Sequence, residues 1–223
     1  MDSHLEIVFT SDGSQTIHDS IRNTTYHSQH GAVTESKHVF IEAGLKHLVS
    51  QGFRQLKILE IGFGTGLNAF LSYLAARDYG LTIRYNGIES NPLPQSIIGH
   101  LSYPQYLNAA KDESIFHRMH SPSGLNEDQF KLKVLHRELE GLSLLANNTL
   151  VYFDVFGPSD QSELWEYDVL GKVVSSMAPG GILVTYCAQG QFKRNLKQLG
   201  CEVESLPGPP GKREMVRATL RKH

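Results

Sequence analysis

The stretch Glu60-Ile-Gly-Phe-Gly-Thr-Gly66 sets three alternating glycines behind an acid. Alternating glycines let a backbone turn tightly and bring its amides against a ligand, because no Cβ stands in the way. The dinucleotide fingerprint G-x-G-x-x-G has another spacing: Leu67 stands where its third glycine belongs, and Gly66 comes one residue early. A further acid, Glu89, lies 25 residues past Gly64 in Gly-Ile-Glu-Ser. At the end of the second strand of a Rossmann-like sheet, a carboxylate accepts hydrogen bonds from vicinal ribose hydroxyls and repels a 2′-phosphate. Taken singly, the glycines also suit a structural turn, and Glu89 the approach to a helix. In register within one βαβ unit, they describe a site for a nucleoside. Glu138, in His136-Arg-Glu138, and Asp154, in Phe153-Asp-Val-Phe-Gly-Pro158, each follow a later apolar run. Ligands of such sheets lie outside the carboxyl ends of the strands, so both acids belong to the same edge.

These residues need a framework of alternating elements. Lys57–Gly62 reads as a short apolar strand, and Leu67–Tyr79 carries Leu67, Phe70, Leu71, Leu74 and Ala75 at helical spacing. Thr82–Glu89 is the next strand, broken by Asn91-Pro-Leu-Pro94. The connection from Ser90 to Gln129, with four prolines, is too long for a structureless loop, so about 92–129 is expected to hold helices. Strands follow at Phe130–Leu135, Leu150–Phe153 and Ile182–Tyr186, with helices at Gln161–Met177 and Gln189–Leu199. Cys201–Ser205 and Glu214–Leu220 form a closing hairpin around a Pro/Gly loop. The expected fold is α/β and Rossmann-like: a mostly parallel seven-stranded sheet with a closing antiparallel hairpin. Residues 1–45 fall outside that rhythm and read as an N-terminal addition packed on or over the sheet, within a single domain of 1–223.

Composition narrows the class. Hydrophobic residues make up 40% of 223, enough for a core without disulfides or a structural metal. No apolar run approaches the roughly 20 residues of a membrane span. The N-terminus lacks a secretory signal layout, so a cytoplasmic protein is expected. Cys187 and Cys201 read as buried thiols. His27, His30 and His38 cluster, but no Cys or carboxylate set completes a ligand spacing, so no metal is expected. From Gln189 to His223, eight Lys or Arg face three acids, giving this tail +5 and the remainder −7. Such a tail permits a surface for an anionic partner without making the chain a basic protein.

The acid-led G-x-G-x-G loop is the variant carried by class I S-adenosylmethionine (AdoMet)-dependent methyltransferases. More specifically, TSDGSQT (Thr10–Thr16), YHSQHGAVTESKHVF (Tyr26–Phe40), LEIGFGTGLN (Leu59–Asn68), YFDVFGPSDQSELW (Tyr152–Trp165) and GPPGKREM (Gly208–Met215) resemble the methyltransferase domain of the MnmC type. That family takes part in 5-methylaminomethyl-2-thiouridine biosynthesis in bacterial tRNA, and the resemblance spans nearly the whole chain. It implies AdoMet as cofactor and tRNA as partner. The implied reaction is N-methylation of the aminomethyl group of 5-aminomethyl(-2-thio)uridine at the wobble position. Many members carry a C-terminal FAD oxidase. No second glycine fingerprint follows here, so a stand-alone form is expected, served by a separate oxidase or other upstream modification enzymes.

The resemblance also implies roles. Glu60, Gly62, Gly64, Gly66, Asn68 and Glu89 form the cofactor site, and Glu138 meets the adenine amino group or else merely starts a helix. Asp154 faces the transferable methyl as the catalytic carboxylate. The family often has Asp-Gly-Phe-Ala-Pro where this chain has Asp154-Val-Phe-Gly-Pro158, which leaves the pocket shape open. Phe156 and Pro158 either wall a flipped-out base or make a rigid turn. Tyr26 and Ser28, with His27, Glu35 and Ser36, either cap the cofactor, contact substrate or pack locally. Lys212 and Arg213 either hold RNA phosphates, or Arg213 pairs with a neighbouring acid such as Glu214 and holds the hairpin. Two other functions share these features: an aminopropyltransferase, which would want paired acids where Asp154 and Asp160 stand with five residues between them, and a silent AdoMet- or RNA-binding module.

Overall fold

The computed structural model describes residues 4–222. Strands β1 (Leu5–Phe9), β2 (Gln15–Asp19) and β3 (Thr24–Thr25) pair antiparallel in that order. A continuous helical run follows: α1 (Ala32–Ser36), a π-helical stretch Lys37–Lys46, and α2 (His47–Ser50). The first amides of a helix have no partner within it. Here the β1–β2 turn supplies them: Thr10 Oγ1 accepts from Ala32 N, Ser14 Oγ from Val33 N, and Asp12 Oδ2 from Thr34 N at 3.0 Å. The run crosses the expected boundary near 45, because Val39, Phe40, Ile41, Leu45 and Leu48 are all buried in the core.

The main sheet comprises β4 (Gln55–Ile61), β5 (Thr82–Glu89), β6 (Leu125–Asn126), β7 (Phe130–His136), β8 (Asn148–Phe153), β9 (Met177–Thr185), β10 (Cys201–Pro207) and β11 (Glu214–Leu220). Its order is β10-β11-β9-β8-β4-β5-β7-β6, with β4, β5, β7, β8 and β9 parallel. The sheet thus has eight strands where seven were expected; the extra one, β6, is two residues long and pairs antiparallel to β7. Side chains of a strand alternate between faces. In β8, Leu150 and Tyr152 join the core shared with the helical run and α3 (Leu67–Tyr79), while Val151 and Phe153 face the opposite core. A strand buried on both faces reads as an unbroken apolar run, as Leu150–Phe153 does.

The long connection folds into α4 (Gln95–Ile98), α5 (Tyr103–Tyr106), a 3-10 turn Ala110–Asp112 and α6 (Glu113–Met119). It leans on the N-terminal segment, where Tyr106 donates to the Asp12 carbonyl at 2.7 Å. On the other face lie α7 (Tyr167–Ser175) and α8 (Gly190–Gln198). The helix expected over 161–177 is broken: Ser162–Trp165 forms a 3-10 turn, and Glu166 is extended before α7 begins. The break has a cause in Trp165, which is buried against Phe153 and Phe192 and donates its indole N–H to Phe156 O at 2.9 Å. The chain runs from β4 through β5 to β7 on one side and returns through β8 to β9 on the other. That reversal is the switch point where open α/β sheets bind ligands.

Candidate functional site

A cleft of about 530 Å³ opens over the carboxyl ends of β4, β5 and β8. That volume lies within the roughly 300–1,000 Å³ of small-molecule sites. Its walls hold seven carboxylates (Glu35, Glu89, Glu138, Glu140, Asp154, Asp160, Glu163) against three cations (Arg22, Arg137, Lys212). An acid-lined concavity favours cationic ligands and disfavours phosphate inside it.

The glycine loop forms the floor. Gly62 has φ 85°, and a Cβ on it would sit 2.2 Å from the Asp154 carbonyl, so only glycine lets β4 and β8 end side by side. The Gly64 N–H donates to Glu89 Oε2 at 2.8 Å, and Glu89 Oε1 accepts Asn91 N–H, also at 2.8 Å. Burial raises the Glu89 pKa although both backbone bonds oppose it. Gly66, at φ 73°, opens α3; a Cβ there would meet His120 at 2.8 Å. His120 Nε2 bonds the Thr65 carbonyl at 3.1 Å, and His27 approaches the Thr65 hydroxyl from the other side. Burial lowers both histidines to about 4, so they are neutral props for the loop.

Asp154 follows β8 and lies part-buried in the cleft wall. Asn68, in the first turn of α3, donates through Nδ2 to Asp154 Oδ2 at 2.7 Å and to Glu60 Oε1 at 2.9 Å. Glu60 also accepts the Tyr85 hydroxyl at 2.7 Å. Burial raises Glu60 well above the usual carboxylate range, while the bonds from Tyr85 and Asn68 pull it down. Glu60 and Asn68 therefore stand behind the wall and hold Asp154, outside the lining itself. Burial, reinforced by Glu35, pushes Asp154 up to about 7, while the Asn68 bond and Lys212 pull it down.

The N-terminal segment and the β10–β11 turn close the opposite wall. Tyr26 meets Phe156 edge-to-face at 5.2 Å between centroids, and the Arg22 guanidinium lies 5.5 Å from the Phe156 ring while pairing with Asp19 at 2.7 Å. Ser28 N–H donates to Glu35 Oε1 at 2.9 Å. Glu35 Oε2 pairs with the Lys212 ammonium, which rests 3.6 Å from the Tyr186 ring centroid. Tyr186 in turn donates to Val155 O at 2.7 Å.

The cleft therefore gathers Tyr26, Ser28, Gly62, Gly64, Glu89, Glu138, Asp154, Phe156 and Lys212. Glu138 is exposed at the rim; Gly66, Pro158 and Arg213 lie outside the lining. The last pair of the chain's loop is thus divided: Lys212 turns inward, while Arg213 is exposed and forms no ion pair among the described residues. Glu214 pairs with Lys193 at 3.1 Å instead. Sequence spacing missed the Glu35–Lys212 pair, which joins residues 177 positions apart, and the wall residues Tyr186 and Arg22. A cation and an acid in two family-specific runs were the available signal. Of the histidine cluster, His27 bonds Thr16 and His38 bonds the Pro207 carbonyl at 2.8 Å. Cys187 and Cys201 are buried free thiols. No described helix is long and apolar enough to cross a membrane.

The chain is similar to several known proteins. The curated protein from Cupriavidus necator named "tRNA 5-methylaminomethyl-2-thiouridine biosynthesis bifunctional protein MnmC" is 29% identical over 88% of this chain and 32% of its own length. Its namesake in Aromatoleum aromaticum is 26% identical over 96% of this chain and 35% of its own length. The chain spans about a third of the length of these curated relatives. The crystal structure of MNMC2 from Aquifex aeolicus superimposes with a TM-score of 0.83 at 23% identity, covering 100% of this chain and 72% of that one. Spermidine synthase from Thermotoga maritima shares the fold more loosely, at a TM-score of 0.55 and 12% identity, over 98% of this chain and 69% of that one. A family model described as S-adenosyl-L-methionine-dependent methyltransferase matches residues 105–221, more than half of the chain. The chain belongs to that family, and its cofactor is AdoMet.

Proposed function

We propose that the chain N-methylates the primary amine of 5-aminomethyl(-2-thio)uridine at the tRNA wobble position, with Asp154 receiving the amine. The observation that carries this reading is a carboxylate poised near 7 inside an acid-lined cleft. Catalytic groups whose pKa lies close to the working pH exchange protons best. The relatives' printed name supplies the substrate class.

The residues fit AdoMet. The Gly62 and Gly64 backbone leaves room beside Glu89, whose remaining lone pairs suit the ribose hydroxyls, and the negative lining suits a sulfonium. Glu138 stands at the rim for the adenine amino group. When bound, AdoMet supplies a methyl group already activated by positive sulfur. The chain's own residues do the rest. Asp154 binds an N–H of the amine, orients its lone pair and takes up the proton that an ammonium must lose. Asn68 fixes the carboxylate, and a held geometry contributes through proximity. Tyr26 and Phe156 offer an apolar wall for an unstacked base. Arg213 reaches phosphate from the β10–β11 turn.

In this reading residues 1–223 form one methyltransferase domain of a tRNA-acting cytoplasmic enzyme, and another activity supplies the free amine. Because Asp160 lines the cleft with Asp154, transfer of an aminopropyl group to a polyamine is the competing reading. Incubation with methyl-labelled AdoMet and tRNA lacking the modification, and separately with aminopropyl-labelled decarboxylated AdoMet and a polyamine, separates them. Methyl label in tRNA and none in the polyamine is expected; aminopropyl label in the polyamine, or AdoMet binding without turnover, would refute the proposal.

A further inference from the structure

We propose that Glu35 and Lys212 act as a positioning pair that sets the charge on the Asp154 carboxylate, and with it the protonation state in which the amine is received. The inference rests on the reading of Asp154 as the amine's partner. Its basis is geometric: both side chains line the same cleft as Asp154, and Lys212 rests on Tyr186, whose hydroxyl donates to the carbonyl of Val155, the residue after Asp154. Each is held from a different part of the chain. Glu35 is buried at 6% exposure in α1, fixed by the Ser28 N–H. Lys212 comes from the β10–β11 turn, seated on Tyr186. An ion pair in a cleft wall that faces an acid has an electrostatic consequence for it.

Asp154 is surrounded by Glu35 from α1, Lys212 from the β10–β11 turn, Glu60 from β4 behind Asn68, Tyr85 from β5 and Tyr186 after β9. The tyrosines are neutral, Glu60 stands behind the wall, and Glu89 and Asp160 line the same cleft. Of these charges Glu35 and Lys212 bias Asp154, and they do so with opposite sign. When an ammonium arrives, one proton passes from nitrogen to the Asp154 carboxylate, leaving a neutral amine with a free lone pair and a neutral acid. Lys212 keeps the carboxylate available as an anion; Glu35 makes it basic enough to take that proton.

The test is a carbon-13 NMR titration of aspartate carboxyls in the whole protein, with Asp154→Asn to assign the resonance. The wild-type midpoint is expected at about 7. Lys212→Met moves it up and Glu35→Gln moves it down, each by about one pH unit. The double variant returns close to wild type, a restoration that a merely structural pair would not give. Lys212→Arg, which keeps the charge, holds the wild-type midpoint even if Lys212→Met fails to fold. Single variants that shift together, or a Lys212→Arg shift as large as that of Glu35→Gln, would overturn the proposal. Methyl-transfer pH profiles measured alongside separate the two claims. Midpoints that move as expected while the rates ignore them would uphold the pair and remove Asp154 from the reaction.

Discussion

Glu89 accepts the Gly64 amide at 2.8 Å, so the acid that ends β5 also sets the shape of the loop that ends β4. One carboxylate thus prepares the backbone, and in the proposed reading its remaining lone pairs serve a ribose. Glu89→Ala is expected to cost about 1.5–3 kcal/mol of AdoMet binding, the range for a hydrogen bond to a charged group. Calorimetry checks this, with NAD expected not to compete. Unchanged affinity would place Glu89 outside the cofactor site.

Asp154 imposes a pH-dependent cost on folding. Its pKa is about 7 in the folded chain against an ordinary 3.8, so the native state holds the proton more tightly. The stability it lends is complete below 3.8 and is lost as pH rises through about 7. Asp154→Asn, which never ionises, should therefore melt above wild type at about pH 8, with the difference closing toward about pH 4. Scanning calorimetry across that range decides it; a difference independent of pH would contradict the assignment.

Asp12 works in the opposite direction. Although burial opposes it, hydrogen bonds from Ser14, Thr34 and Thr10 hold its pKa at about 2. Asp12→Ala should cost about 1–2 kcal/mol, as for the loss of a helix cap. The benefit is full above 3.8 and disappears as pH falls through about 2, so wild type and variant should converge in acid. Thermal melts at neutral and acidic pH test the sign.

Arg213 carries the prediction for RNA. Exposed on the β10–β11 turn and without an ion pair among the described residues, it is free to meet a phosphate. Arg213→Ala should weaken tRNA binding and flatten the log–log salt slope by about 0.7, the value for one single-strand phosphate contact. AdoMet affinity should stay constant. A slope identical to wild type would remove Arg213 from the interface.

What the sequence made legible follows from how local each signal is. The Glu60–Gly66 loop, the strand-end acids Glu89 and Asp154, and the periodic segments around them depend on near neighbours, and the structure brings these acids to one edge. The TSDGS run was visible as a motif but not as the cap of a helix some 20 residues on, because capping across a turn depends on tertiary packing. Asn68 looked like part of the loop, yet its amide bridges Glu60 and Asp154, a relation fixed only when β4 and β8 lie side by side. Lys212 read, with Arg213, as a cation for RNA phosphates; Glu35 draws it inward from a distant part of the chain. The helix expected over 161–177 failed at Glu166 because a buried Trp165 outweighs local periodicity.

The central claim is that Asp154 receives a tRNA amine in the cleft that holds AdoMet. Tritium-free nucleoside mass analysis of hypomodified tRNA, incubated with AdoMet and either wild type or Asp154→Ala, tests it most directly, with AdoMet affinity of both proteins measured in parallel. The account predicts that wild type adds one methyl to 5-aminomethyl(-2-thio)uridine. Asp154→Ala should bind AdoMet normally and lose about 100-fold or more of the single-turnover rate, as expected for loss of a general base. An Asp154→Ala variant that methylates at the wild-type rate, or a wild type that leaves the wobble nucleoside unchanged, would contradict it.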